Sequence, residues 1–279
     1  MKPQTGMAAG LYYQVYAGQV YAGHAPQAAA EGAAAPPLVV LPGLLSDGRQ
    51  FRRLMRDLQR PAVVVDPLGC GRSELPAAAE DAEYALARQA GRLLALLDQL
   101  ELQVVDVAGI SMGGMWAQHA LIQAPQRFRR AALVGTAART EPRLRSVLLG
   151  LQGQWQAGAS LLDLWRILAV LFFSTEFLER PGVLPMLENL VTMEPPARQS
   201  VHGQLQALLA HDLQGELHRV AQVRLVLAGA EDFVMPRGTQ ERLVSALGYG
   251  TARLCPGAGH SLWIEQPEVL CTELVAALG

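Results

Sequence analysis

A serine framed as Gly109-Ile110-Ser111-Met112-Gly113 follows a short valine- and alanine-rich run and precedes a helix-like stretch through Trp116 and Ile122. A serine held in a strand-to-helix turn has its hydroxyl lifted clear of the sheet. The backbone there is strained and side chains two residues away would collide, so glycine at both flanking positions meets a steric need. The start of the following helix also sets the Met112 N–H beside the hydroxyl, where charge developing on an attacked carbonyl would be stabilised. The chemistry this permits is nucleophilic attack by an activated serine, which needs a base and a third group to orient that base.

Six histidines are candidates for the base, and position separates them. His260 sits in the glycine-rich loop Gly257-Ala258-Gly259-His260-Ser261, after the short run 251–255. His119 lies on the helix that follows Ser111 and points away from the turn, His24 falls in an alanine-rich loop, and His202, His211 and His218 belong to a helical region or its exit. The acid should come from a loop at the carboxyl end of another strand. The run 224–228 is followed by Gly229-Ala230-Glu231-Asp232-Phe233-Val234-Met235-Pro236, where Asp232 is the better placed carboxylate and Glu231 reads as solvated. Ser111, Asp232 and His260 are therefore the candidate catalytic residues.

The elements that must position them are short apolar runs at 37–41, 62–65, 104–108, 131–134 and 224–228, alternating with segments of helical period such as 84–100. Buried strands alternating with amphipathic helices describe a mostly parallel sheet covered on both faces. Residues 11–23, rich in Tyr and Val and broken by glycine, suggest two short antiparallel strands, and the Ala/Pro stretch 26–37 reads as a loop. Residues 137–220 hold no convincing strand. Leu161, Trp165, Leu168 and Phe172 there fall at i, i+4, i+7 and i+11, and Pro181, Pro185, Pro195 and Pro196 punctuate the segments, as expected for a cap of short helices. The expected division is a core of 1–136 and 221–279 with a helical cap at 137–220. Trp165 and Phe172, with Trp155, Phe173 and Phe177, either line an apolar pocket under that cap or form its own core. A cation for a carboxylated substrate would come from Arg166, Arg180 or Arg198, or these are simply exposed.

Hydrophobic residues make up 51% of the 279 residues and charged ones 17%, which supports a sizeable core and excludes a disordered or fibrous chain. A net charge of −2 gives no bulk attraction for nucleic acid. Cys70, Cys255 and Cys271 are widely spaced and form no C-x-x-C pair, so neither a disulfide framework nor a zinc site is indicated and a reducing compartment is expected. The apolar run 167–173 is far shorter than the ~20 residues of a membrane helix. With no secretory signal visible in 1–10, a cytoplasmic location is expected.

The order Ser111, Asp232, His260 along the chain is that of α/β-hydrolases, and the sequence resembles that superfamily over nearly its whole length. The resemblance implies an α/β fold with a mostly parallel eight-stranded sheet and a helical cap inserted after the sixth strand. Leu41-Pro42-Gly43-Leu44-Leu45 resembles the loop after the third strand. That implies Leu44 N–H as the second oxyanion donor beside Met112, with Pro42 where histidine is frequent. Residues 66–73, Asp66-Pro67-Leu68-Gly69-Cys70-Gly71-Arg72-Ser73, resemble a structural turn of the family, so Asp66 and Cys70 receive no catalytic role. Residues 109–118 with Ala124-Pro125, Arg129-Arg130 and Thr136-Ala137-Ala138-Arg139 are similar to 3-oxoadipate enol-lactonases and related carboxylic-ester hydrolases. Serine at 111 sets the chain apart from haloalkane dehalogenases and epoxide hydrolases, which use a carboxylate nucleophile.

The resemblance implies cleavage of an ester or lactone through an acyl-enzyme, with no metal or organic cofactor. The partner is a small-molecule ester or acyl substrate, with neither nucleic acid nor membrane involved, and monomer and homodimer both stay open. The apolar cap favours an uncharged or acyl-chain substrate, with Trp165 and Phe172 as candidate substrate-binding residues. An acyl-thioesterase, a cofactor-free perhydrolase and a catalytically silent ligand-binding protein would share these residues.

Overall fold

In the computed structural model residues 3–16, 35–58, 60–76, 81–192 and 195–279 are described. Eight strands, β1 (Gln4–Ala8), β2 (Leu11–Tyr16), β3 (Leu38–Leu41), β4 (Ala62–Val65), β5 (Val105–Ile110), β6 (Phe128–Val134), β7 (Val223–Gly229) and β8 (Ala252–Cys255), form one sheet in the order β1-β2-β4-β3-β5-β6-β7-β8. From β4 through β8 every pairing is parallel, while β2 runs antiparallel to both β1 and β4.

The amino-terminal hairpin lies earlier than the composition of 11–23 suggests: Leu11 opens its second strand, not its first. Ala9 and Gly10 both have positive φ, 52° and 77°, which gives a two-residue turn matched to strand twist and sets the register. The remainder of the 11–23 reading, and most of the loop read at 26–37, lie outside the described residues.

Helices cover both faces. After β3 comes α1 (Arg52–Asp57), after β4 α2 (Leu86–Gln99), and after β5 α3 (Met112–Gln123). Along β3, Leu38 and Val40 join the cluster under α1, whereas Val39 and Leu41 join the one under α2 and α3, as a period of two requires. Between β6 and β7 the described residues form five α-helices, α4 (Pro142–Gln156), α5 (Leu161–Phe172), α6 (Thr175–Glu179), α7 (Val183–Thr192) and α8 (Arg198–Leu209). The chain closes with α9 (Arg237–Leu247), α10 (Leu262–Glu265) and α11 (Pro267–Leu278). Among the described residues no helix is long and apolar enough to cross a membrane.

The departing and returning ends of the inserted segment are stitched together: Thr140 N–H donates to the His211 carbonyl at 2.9 Å and Leu213 N–H to that of Ala138 at 2.8 Å. His211 is buried beside them, its Nε2 3.2 Å from the Ala137 carbonyl and its Nδ1 3.4 Å from His119 Nε2. Burial, reinforced by the neighbouring His119, pushes the His211 imidazole down to about 4, so at neutral pH it is an uncharged part of this junction.

The turn read as structural at 66–73 wraps around Asp66. Its carboxylate accepts Gly48 N–H at 2.8 Å and Arg72 N–H at 3.1 Å, and a Cβ at Gly71 would lie 2.1 Å from Asp66 Oδ2. Burial pushes Asp66 up to about 6 from an ordinary 3.8. The folded protein therefore holds this proton more tightly than the unfolded chain does. The associated stability is fully present below about 4 and is lost as pH rises to about 6. Urea midpoints measured across that range should fall with pH, and Asp66→Asn should flatten that part of the slope.

Candidate active site

Ser111 occupies the single residue between β5 and α3, at φ 53° and ψ −119°, a conformation that side-chain-bearing residues adopt only under constraint. The constraint is visible on both sides. A Cβ at Gly109 would lie 2.5 Å from the Gly113 carbonyl oxygen, and one at Gly113 would lie 2.0 Å from that of Leu41, so both flanking glycines are needed for the turn to close. Ser111 N–H donates to the Val134 carbonyl at 2.8 Å, and Thr136 Oγ1 donates to the Ser111 carbonyl at 2.8 Å, pinning the strained residue to β6 and the residues after it.

His260 reaches this turn from the loop after β8. Its Nε2 lies 2.9 Å from Ser111 Oγ and its Nδ1 lies 2.8 Å from Asp232 Oδ2. Asp232 sits in the loop after β7, where its other oxygen, Oδ1, accepts the N–H groups of Val234 at 2.8 Å and Met235 at 2.7 Å. With Oδ1 committed to the backbone, Oδ2 is left facing the imidazole. A carboxylate there places the proton on Nδ1 and leaves Nε2 as an acceptor for the serine hydroxyl. Glu231, the neighbouring carboxylate, anchors the loop instead through its backbone N–H to the Ala258 carbonyl at 2.9 Å. All three side chains are buried, and the structure brings together the residues singled out from sequence.

Opposite Ser111 the 41–45 segment comes close: a Cβ at Gly43 would lie 3.2 Å from Ser111 Cβ and 3.7 Å from its Oγ. Among the described residues, no group accepts a hydrogen bond from the backbone N–H of Leu44 or of Met112. Met112 opens α3, where the first N–H groups have no intrahelical acceptor. Met112 directly follows Ser111 and Leu44 directly follows Gly43, which lies against Ser111, so these two N–H groups are candidates for holding an oxyanion.

Ser111 and His260 face a cleft with Leu44 on its wall. Leu161, Trp165, Leu168 and Phe172, the positions of helical spacing noted on α5, all line it, together with Leu190 and Val191 of α7. The Phe172 ring also packs on the His260 imidazole, with centroids 5.1 Å apart. Of the other aromatic residues considered from sequence, Phe173 and Phe177 stack on each other and Trp155 is buried against Arg198, so these three build the inserted segment's own packing. Arg166 pairs with Glu188, Arg180 pairs with Glu176, and Arg198 lies over Trp155, and none of them lines the cleft. The arginine that does is Arg49, whose guanidinium is engaged by Asp47 with 2.6 Å between Nη2 and Oδ2. Sequence reasoning missed this pair because its place on the cleft wall depends on how the loop after β3 folds back.

Glu265 was also missed. It is buried, and its carboxylate accepts Ser174 N–H at 3.0 Å, Ser174 O–H at 2.6 Å and Gly259 N–H at 2.8 Å. Burial pushes the Glu265 carboxyl above its ordinary pKa, towards the neutral form, and the three donors oppose that shift. The carboxylate thereby ties the His260 loop to the start of α6. Ser261 N–H strengthens the link by donating to the Phe172 carbonyl at 2.8 Å. No periodicity or motif in the chain marks Glu265 for this task.

A mostly parallel sheet, a strained serine between β5 and α3, and an aspartate and a histidine on the loops after β7 and β8 define a class, and comparison with known proteins supplies the family. The family model for the alpha/beta hydrolase fold matches residues 36–267, and the chain belongs to that family. It is 28% identical over 221 residues to a 2-hydroxymuconate semialdehyde hydrolase of Pseudomonas putida, covering 75% of this chain and 73% of the relative. It is 26% identical over 213 residues to 3-oxoadipate enol-lactonase 2 of Acinetobacter baylyi, covering 74% of each. Among solved structures, the enol-lactonase of Burkholderia xenovorans superposes with a TM-score of 0.80 at 21% identity over 99% of both chains, which shows the shared fold.

Proposed function

We infer that the protein is a serine hydrolase that cleaves a carboxylic ester or lactone, with Ser111 as nucleophile, His260 as general base and acid, and Asp232 as the group that orients the imidazole. The observation that carries this reading is the single imidazole bridging Ser111 Oγ at 2.9 Å and Asp232 at 2.8 Å. As Ser111 Oγ attacks the substrate carbonyl, its proton passes to His260 Nε2, and the new positive charge is stabilised by Asp232. The carbonyl oxygen, now an oxyanion, accepts from the N–H groups of Leu44 and Met112. Collapse expels the alcohol, protonated by His260, and leaves an acyl-serine. A water deprotonated by the same imidazole then releases the acid and restores the serine.

The wall formed by Leu161, Leu168, Leu190 and Val191 supports an apolar acyl portion, with Trp165 and Phe172 as substrate-binding residues. The mutual neutralisation of Arg49 and Asp47 supports an uncharged substrate over a carboxylated one. The hydrolase and lactonase relatives support the reaction class.

The test is covalent capture. Treatment with a fluorophosphonate should add one phosphonyl group to the intact mass of the protein, with no adduct on Ser111→Ala and slowed labelling of His260→Ala. Folded parent protein that takes no adduct would overturn the reading and leave a ligand-binding role.

A further inference from the structure

The Leu44 N–H can serve an oxyanion only if the 43–46 turn keeps its shape, and the turn has little of its own to hold it. Its internal hydrogen bond is Ser46 N–H to the Gly43 carbonyl at 3.2 Å. Leu45 lies at φ 54°, the left-handed region that a leucine enters only when its surroundings impose it. The imposing group comes from far along the chain. Gln204, fully buried on α8 of the inserted segment, accepts Leu45 N–H through Oε1 at 3.0 Å. Its Nε2 donates to the Leu68 carbonyl at 3.2 Å and to Cys70 Sγ at 3.0 Å. Both acceptors around Nε2 require N–H groups, so the amide has one orientation and its oxygen must face Leu45.

We propose that Gln204 is a positioning residue for the reaction: by holding the Leu44–Leu45 peptide it keeps Leu45 left-handed and the Leu44 N–H aimed at the oxyanion. The proposal rests on the serine hydrolase reading above. It makes α8 part of the machinery, so a shift of the inserted helices would be felt as loss of transition-state stabilisation as well as altered substrate fit.

The experiment compares the parent with Gln204→Leu, which keeps the side-chain volume and removes every hydrogen bond, and Gln204→Glu, which keeps the acceptor oxygen. Three quantities are read: kcat and KM on a p-nitrophenyl acyl ester, the inhibition constant of a trifluoromethyl ketone, and hydrogen exchange of the Leu45 amide. In the ketone adduct the bond forms between Ser111 Oγ and the carbonyl carbon, the serine proton goes to His260, and the oxygen becomes the oxyanion. Misaiming one donor should lower kcat of Gln204→Leu by about 10- to 100-fold, less than the roughly 10²- to 10³-fold cost of removing an oxyanion donor outright. KM should stay within about twofold, the ketone should weaken by the same factor as kcat, and Leu45 exchange should rise.

A residue that merely stabilises the core would lower the melting temperature and leave the ratio of ketone to ester affinity unchanged, and that result overturns the proposal. Should Gln204→Leu fail to fold, Gln204→Glu decides: a kcat closer to the parent with Leu45 still protected supports the role, and unprotected Leu45 with parental kcat overturns it. A parent protein inert to fluorophosphonate would instead overturn the hydrolase reading. Unchanged Leu45 exchange in Gln204→Leu, which lacks the acceptor oxygen, would separately overturn the support assigned to Gln204.

Discussion

Ser111→Ala and His260→Ala should each lower kcat on an activated ester by about 10⁵- to 10⁶-fold, and the double variant should be no worse than either alone. The expectation follows from the bridging geometry: in the proposed mechanism Ser111 and His260 act in one proton transfer, and removing either removes the step. Some turnover above the rate in water should survive, because the Leu44 and Met112 N–H groups and the cleft remain in place. Both variants should fold. Alanine needs no more room than serine at the strained position, and the glycines that make the turn feasible are untouched. Stopped assays with high enzyme concentrations and a thermal melt for each variant check this. Additive losses in the double variant would mean that serine and histidine act in different steps.

Asp232→Asn should lower kcat by about 10⁴-fold with the backbone unchanged. The carboxylate has acceptors only, and it uses both oxygens: Oδ1 for the Val234 and Met235 N–H groups and Oδ2 for His260. An amide must turn its NH₂ towards one of these. Facing Val234 and Met235, the NH₂ meets two donors and the loop loses its anchor. Facing His260, it forces the proton from Nδ1 to Nε2, and the imidazole can no longer accept from Ser111. The second arrangement leaves fewer buried groups unpaired, so the loss should fall on catalysis more than on stability. Kinetics and a melt on the same preparation separate the two: a variant with near-parental kcat would deny Asp232 its orienting role.

Much of the site could be read along the chain because its decisive constraints are local. A serine on a strained turn needs its glycines two residues away, so Gly109 and Gly113 announce Ser111 without reference to the rest of the molecule. Asp232 and His260 follow loops at the ends of short apolar strands, and the alternation of strands and helices already implies that such loops gather at one edge of a parallel sheet. The helical spacing of Leu161, Trp165, Leu168 and Phe172 likewise put one face of α5 towards something apolar, though not whether that was a cleft or a core.

What only the tertiary structure decided are the contacts that hold those parts in place, and they share a physical cause. Gln204 meets Leu45 across 159 positions and Glu265 meets Ser174 across 91, and a buried hydrogen bond between distant residues leaves no periodic trace in either segment. Arg49 differs in kind, because its partner is local and only the place of the pair on the cleft wall depends on the fold. Its type suggests a cation for a substrate, but a neighbouring aspartate two residues away engages that charge once the loop after β3 turns back on itself. Side-chain types and short spacings determined which chemistry this protein is equipped for. Long-range packing, which is set by the whole fold at once, decided how Ser111, His260, Asp232 and the backbone N–H groups near them are held and what lines the cleft.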